Sequence, residues 1–213
     1  METGRVLCFA AKWDGSKDVF YSSEHLDGHR VMIEHLHNIL SEADAIVTYN
    51  GERFDIPTAN REFLLYDMPP PTPYKSIDLI QTIKRRFRFV RNSLDHVCKE
   101  MGIGRKVKHE GHELWLKCMN GDGDAWGRMR VYNMQDVELT EDAYHRLLPW
   151  IEQHPSHALY IEDDKPRCRN CGTDQIRKEG FAYTQLGKYQ QYSCKLCGTW
   201  GRGKKSLKMV DVR

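Results

Sequence analysis

The chain opens on an apolar run and then alternates short strand-like blocks with helix-like ones. Arg5 to Trp13 (RVLCFAAKW) reads as a strand, Asp14-Gly15-Ser16 as a turn and Asp18 to Ser22 as a second strand, so a hairpin is expected. From Gly28 to Glu42 the apolar residues Val31, Met32, Leu36, Ile39 and Leu40 recur at helical spacing. Ala45 to Tyr49 is a short buried strand, closed by the turn signal Asn50-Gly51. Asp55 ahead of Ile56-Pro57 predicts a helix start, with Asp as N-cap and Pro in the first turn. Pro69, Pro70, Pro71 and Pro73 end that helix, and Ile77 to Ile83 fits either a strand end or a helix start. Ser93 opens another helix that Gly102 stops, and a long helix is expected over Trp126 to Ile151. Strands followed by alternating helices predict an α/β domain. The polar, proline-flanked stretch from His154 to Pro166 marks a boundary, which gives residues 1–155 as one domain and 156–213 as a linker with a small module.

Composition changes this picture in two places. No apolar run approaches the roughly 20 residues that cross a membrane, and Met1 to Arg5 carries no secretory pattern, so a cytoplasmic protein without a membrane partner is expected. The net charge of +2 conceals an asymmetry: Lys165 to Arg213 holds 12 Lys and Arg against 3 Asp and Glu, and the rest 20 against 27. A basic tail on an acidic body points to a polyanion, with an ordinary solvated surface as the competing reading.

Four of the seven cysteines form two close pairs, Cys168-x2-Cys171 and Cys194-x2-Cys197. Without a secretion signal this favours metal over disulfides, and four thiolates suit one tetrahedral zinc. So small a segment builds little core, so zinc would supply much of its folding energy. Between and after the pairs, Phe181, Tyr183, Tyr189, Tyr192 and Trp200 interleave with Arg177, Lys178, Lys188, Arg202, Lys204 and Lys205. They read either as a base-stacking, phosphate-holding surface or as the core of a small ribbon.

In the first domain the candidate chemistry is acidic. Asp55 follows a short strand, and Tyr132 and Asp136 lie four residues apart on the long helix, hence on one face. Carboxylates from separate elements can hold two Mg²⁺ or Mn²⁺ ions for phosphodiester cleavage, with a tyrosine hydroxyl positioning the water. The competing reading makes Asp55 an N-cap and Tyr132 a core aromatic.

In this order the residues resemble the tyrosine-bearing branch of the DEDD 3′–5′ exonucleases, a family of the ribonuclease-H-like fold. YNGERFD, ending at Asp55, resembles the family's second motif, and Tyr132-x3-Asp136 its third. Ser76-Ile77-Asp78-Leu79 and Ser93-Leu94-Asp95 resemble the stretch between. More narrowly, RVLCFAAKW, KHEGHELWLKC and the cysteine pairs resemble phage and bacterial proteins described as predicted exonucleases. The resemblance implies a mixed sheet flanked by helices plus a C-terminal zinc ribbon. It implies Asp55 and Asp136 as Mg²⁺ or Mn²⁺ ligands, Tyr132 as the residue that orients the water, and Asn50 and Phe54 as substrate contacts. The family's first motif, Asp-x-Glu on the first strand, has no counterpart in a sequence that starts Met1-Glu2-Thr3. Arg5 to Trp13 then corresponds to the family's second strand and the first strand is missing, unless Glu2 is the remnant of an Asp-x-Glu-Thr sequence. Two functions are therefore expected in competition. One is a metal-dependent exonuclease on a single-stranded DNA or RNA end, truncated or inactive in this chain, with a replication or repair protein as a further partner. The other is a non-catalytic protein whose ribbon binds nucleic acid or protein.

Overall fold

Alternating apolar residues at the start of the chain send one strand into two different cores. The computed structural model describes residues 4–107, 110–163 and 165–211; Glu2 lies outside them. Strand β1 (Cys8–Lys12) pairs antiparallel with β2 (Val19–Ser23), Cys8 opposite Ser23 and Lys12 opposite Val19, as the hairpin pattern expects. Phe9 and Ala11 pack with Met32, Ile33 and Phe63. On the other side, Leu7 and Cys8 pack with Leu114, Trp126 and Met129. Each such side chain contributes roughly 1.5–3 kcal/mol when fully buried, so both layers hold β1.

The layer under Phe9 consists of α2 (His29–Glu42) and α3 (Asp55–Leu65). A single helical turn, α1 (Glu24–Asp27), joins β2 to α2; the Leu26 amide donates to the Ser23 hydroxyl at 3.2 Å and so caps it. Strand β3 (Ala45–Thr48) pairs in parallel with β4 (Lys75–Asp78), Val47 opposite Ile77 and Thr48 opposite Asp78. Parallel neighbours need a crossover, and α3 supplies it. Among the described residues β1 pairs only with β2, and β3 only with β4.

The ambiguous Ile77 to Ile83 segment divides at Asp78. Strand β4 ends there and α4 (Leu79–Arg86) starts on the next residue, with the Ile80 amide donating to the Asp78 carboxylate. Next come α5 (Leu94–Met101), closed by Gly102 in the left-handed conformation, then α6 (His112–Met119) and α7 (Gly123–Leu147). The expected long helix thus starts three residues earlier and stops four earlier than its apolar pattern suggests. Pro149 sits in a 3-10 turn, Leu148–Trp150, because it lacks an N–H and its ring crowds the preceding turn.

By its contacts the chain divides into two units, Met1–His145 and Arg146–Arg213. The second unit is built on a three-stranded antiparallel sheet, β5 (Ile176–Tyr183), β6 (Gly187–Cys194) and β7 (Trp200–Met209), in the order β5-β6-β7. No helix among the described residues is long and apolar enough to cross a membrane.

Candidate active site and cysteine centre

The acidic site begins where β3 gives way to a tight turn. Asn50 adopts φ 67°, and a Cβ on Gly51 would fall 2.6 Å from Thr48 Cβ, so the turn needs glycine at that step. Asp78, buried at the end of β4, holds the turn from the neighbouring strand. Its carboxylate accepts from the Asn50 amide at 2.6 Å and the Glu52 amide at 3.3 Å, besides that of Ile80. These bonds occupy Asp78 with backbone donors.

The same turn delivers Asn50, Phe54 and Asp55. Phe54 is about half exposed, with the Arg53 guanidinium 5.2 Å from its ring centre. Asp55 is not the N-cap that its sequence context predicts. Phe54 occupies the cap position, Asp55 is the first residue of α3, and no side chain caps the helix. Burial pushes the Asp55 carboxyl above the usual carboxylate range, the negative charge of Asp78 adds to that, and the Lys106 ammonium works against it.

Tyr132 and Asp136 stand one turn apart on α7. Lys106, from the segment between α5 and α6, donates to Asp136 Oδ2 at 2.5 Å and to the Tyr132 hydroxyl at 3.2 Å. Burial opposes the charged ammonium, and the bond to Asp136 outweighs it, so Lys106 is held above its ordinary pKa. Tyr132 is pushed upward by burial and then by the Asp136 charge. The second carboxylate oxygen, Asp136 Oδ1, is buried without a hydrogen-bond partner. Lys106 thus joins Tyr132 and Asp136 by hydrogen bonds, and its charge also bears on the Asp55 carboxyl. Lys106 went unseen in the sequence because a lone lysine after Gly102-Ile103-Gly104-Arg105 has no local pattern.

The orphaned Asp136 oxygen and the Asp55 carboxyl suit a divalent cation, which prefers hard oxygen donors. They number two: among the described residues, the only group of three or more metal-ligating side chains is the set Cys168, Cys171, Cys194 and Cys197. A full carboxylate cage therefore needs a donor beyond Asp55 and Asp136.

The four cysteines come together in the second unit from two copies of one turn. In the first, the Cys168 amide donates to Thr173 O and the Gly172 amide to Cys168 O. In the second, the Cys194 amide donates to Thr199 O and the Gly198 amide to Cys194 O. Gly172 and Gly198 both take positive φ, 71° and 77°. The turns place all four sulfurs within 4.8 Å of one another, with Cys168–Cys197 and Cys171–Cys194 each at 3.6 Å. Thiolates at about 2.3 Å from a tetrahedral zinc sit roughly 3.8 Å apart, so the cluster matches such an ion. Burial pushes the Cys194 thiol up, and the amides of Cys197 and Leu196 outweigh it, which brings Cys194 down to about 7.

A mixed α/β layer carrying an acidic site, followed by a four-cysteine ribbon, defines the class. Residues 2–148 match the RNase H superfamily, and the chain belongs to that superfamily. Among solved structures it is similar to the family B DNA polymerase from the hyperthermophilic archaeon Pyrobaculum calidifontis. The identity is 24% and the TM-score 0.54, over 68% of this chain and 22% of the polymerase chain. At that identity the likeness is one of fold, and this chain corresponds to about a fifth of the polymerase's length. No curated protein sequence matches the chain.

Proposed function

We propose that the first unit is a divalent-metal-dependent nuclease site that shortens nucleic acid from its 3′ end. The observation that carries this reading is the Asp136 carboxylate, with one buried oxygen left over, one turn from the Tyr132 hydroxyl. Asp55 and Asp136 would hold the ion, which when bound supplies positive charge at the phosphate and activates the attacking water. Tyr132 orients that water through its hydroxyl. Asn50 and Phe54, on the turn ahead of Asp55, face the terminal nucleotide, Phe54 by stacking. In the second unit the four thiolates hold a structural zinc.

The test uses single-stranded DNA and RNA labelled at the 5′ end, with Mg²⁺ or Mn²⁺. Label retained on progressively shorter products shows 3′–5′ trimming. With only two acids in place, the 213-residue chain is expected to cut slowly. The same chain extended by a strand bearing Asp-x-Glu should cut at least 100-fold faster, on the order of what a full metal site contributes, and Asp136→Ala should abolish that gain. No trimming by the extended chain overturns the reading.

A second reading has its own support. Lys188 Nζ lies 3.8 Å from the Phe181 ring centre and the Arg202 guanidinium 4.1 Å from that of Tyr189, while Tyr183 and Trp200 are exposed. Exposed rings beside cations suit stacked bases and their phosphates. On this reading the ribbon sheet is a surface for single-stranded nucleic acid, whether or not the acidic site cuts.

A further inference from the structure

The segment between α5 and α6 is fastened so as to bring a positive charge into the acidic site. The Lys106 amide donates to Asp95 Oδ1 at 3.0 Å, and the next amide, Val107, donates to Gln135 Oε1 at 2.7 Å. The anchors stand on α5 and α7, one on each side of the segment. Gly104, at φ 146°, lets the segment lie close to α7, since a Cβ there would come within 3.1 Å of Leu139 Cδ1. From this position Lys106 reaches Asp136 and Tyr132 by hydrogen bonds, lies 5.2 Å from the Tyr132 ring centre, and acts on Asp55 through its charge. A surface ion pair needs no such fastening, because two long side chains in water find each other and part freely. Here the backbone is fixed and only the four-carbon stem can move.

We propose that Lys106 is a built-in exchangeable cation of the acidic site. Its ammonium holds Asp136 and Tyr132 in place until a divalent ion takes over the Asp136 carboxylate, and it then turns to the phosphate of the bound strand. The inference rests on the reading of Asp55 and Asp136 as metal-holding carboxylates. Lys106 is on this account a positioning residue in the empty site and a phosphate contact in the loaded one. Lysine suits both roles, being a compact charge on a flexible stem. The partnerless Asp136 Oδ1 leaves an acceptor for the ion beside Oδ2, the oxygen that the ammonium holds. Ion binding and phosphate binding are then coupled, since the first releases the group that serves the second.

Two measurements on the 213-residue chain without nucleic acid test this. The first is a Mn²⁺ titration followed by the electron paramagnetic resonance signal of the free ion. Lys106→Met removes the competitor and should tighten Mn²⁺ binding about tenfold, the scale of one charge-assisted hydrogen bond no longer given up; Lys106→Arg should restore wild-type affinity. The second is acylation of Lys106 in the wild-type chain, read by mass spectrometry, and needs no variant to fold. Mn²⁺ should raise the labelling of Lys106 several-fold. If wild type binds Mn²⁺ and Asp136→Asn does not, yet Lys106→Met binds as wild type does and labelling is unmoved, the exchange is wrong while the carboxylate reading stands. If neither wild type nor Lys106→Met binds Mn²⁺, both fall.

Discussion

Asp78 shows how much the turn of the acidic site depends on one carboxylate from the neighbouring strand. Three backbone amides, those of Asn50, Glu52 and Ile80, converge on one buried carboxylate. Removing its charge leaves buried donors facing a poorer acceptor, at about 1.5–3 kcal/mol. Asp78→Asn is therefore expected to lower the stability of the first unit by that amount in urea unfolding, with the metal content of the second unit unchanged. An unaltered urea midpoint would mean that the turn is held by Gly51 and the strand pairing instead. The residue also shows why a sequence motif can mislead about roles. Asp78 belongs to an acid-bearing motif, yet its oxygens are committed to the backbone. Lys106, outside every motif, touches both Tyr132 and Asp136.

Among the elements, those with clear alternation, helical spacing or end signals were legible in advance. The hairpin, α2 and α5 fall where alternation and helical spacing put them. Helix α6 was not legible: it buries only Leu114 and Cys118, too few positions to establish a period, and it lacks the Ser start and Gly stop that mark the equally short α5. Ile77 to Ile83 resisted division because Asp78 both ends a strand and caps a helix. Asp55 satisfied every rule for a cap, and Phe54 took the place, because the turn after Gly51 sets where the helix begins. Tyr132 and Asp136 could be paired from spacing alone. Their shared contact with Lys106 could not, since that lysine lies 30 residues before Asp136. The twin cysteine turns were the clearest local signal, and they carry an element-scale prediction. An ion held there contributes about 10–16 kcal/mol to folding such a small unit. Cys194→Ser, or exhaustive chelation, should therefore erase protease resistance across β5, β6 and β7 while the first unit keeps its own. Elemental analysis of the untreated chain should find one zinc; resistance that survives in metal-free protein would show that the sheet stands without it.

For the molecule as a whole, charge is distributed by unit. From Lys165 onward there are 12 basic against 3 acidic residues, and the rest of the chain is acidic in balance. If the ribbon sheet contacts phosphates, affinity for single-stranded DNA should fall steeply with salt as counterions are released, with a logarithmic slope of about −0.7 per phosphate neutralised. Deleting Lys165 to Arg213 should remove most of that affinity. A salt slope that survives the deletion would assign the contact to the first unit.

The two partners of β1 lie at opposite ends of the first unit's sequence, and this sets an order of events during synthesis. Lys12 pairs with Glu141, 129 residues later, and the Asn133 amide group reaches Cys8 across 125. At about 5–20 residues per second on the ribosome, β1 waits roughly 6–26 s for α7 to be made. Through that interval α2 and α3 can cover one side of the strand while the side bearing Cys8 stays open to solvent. The ribbon, closed by contacts within a few tens of residues, has no such wait. The nascent chain is thus most exposed to aggregation and to chaperones at β1, until α7 emerges.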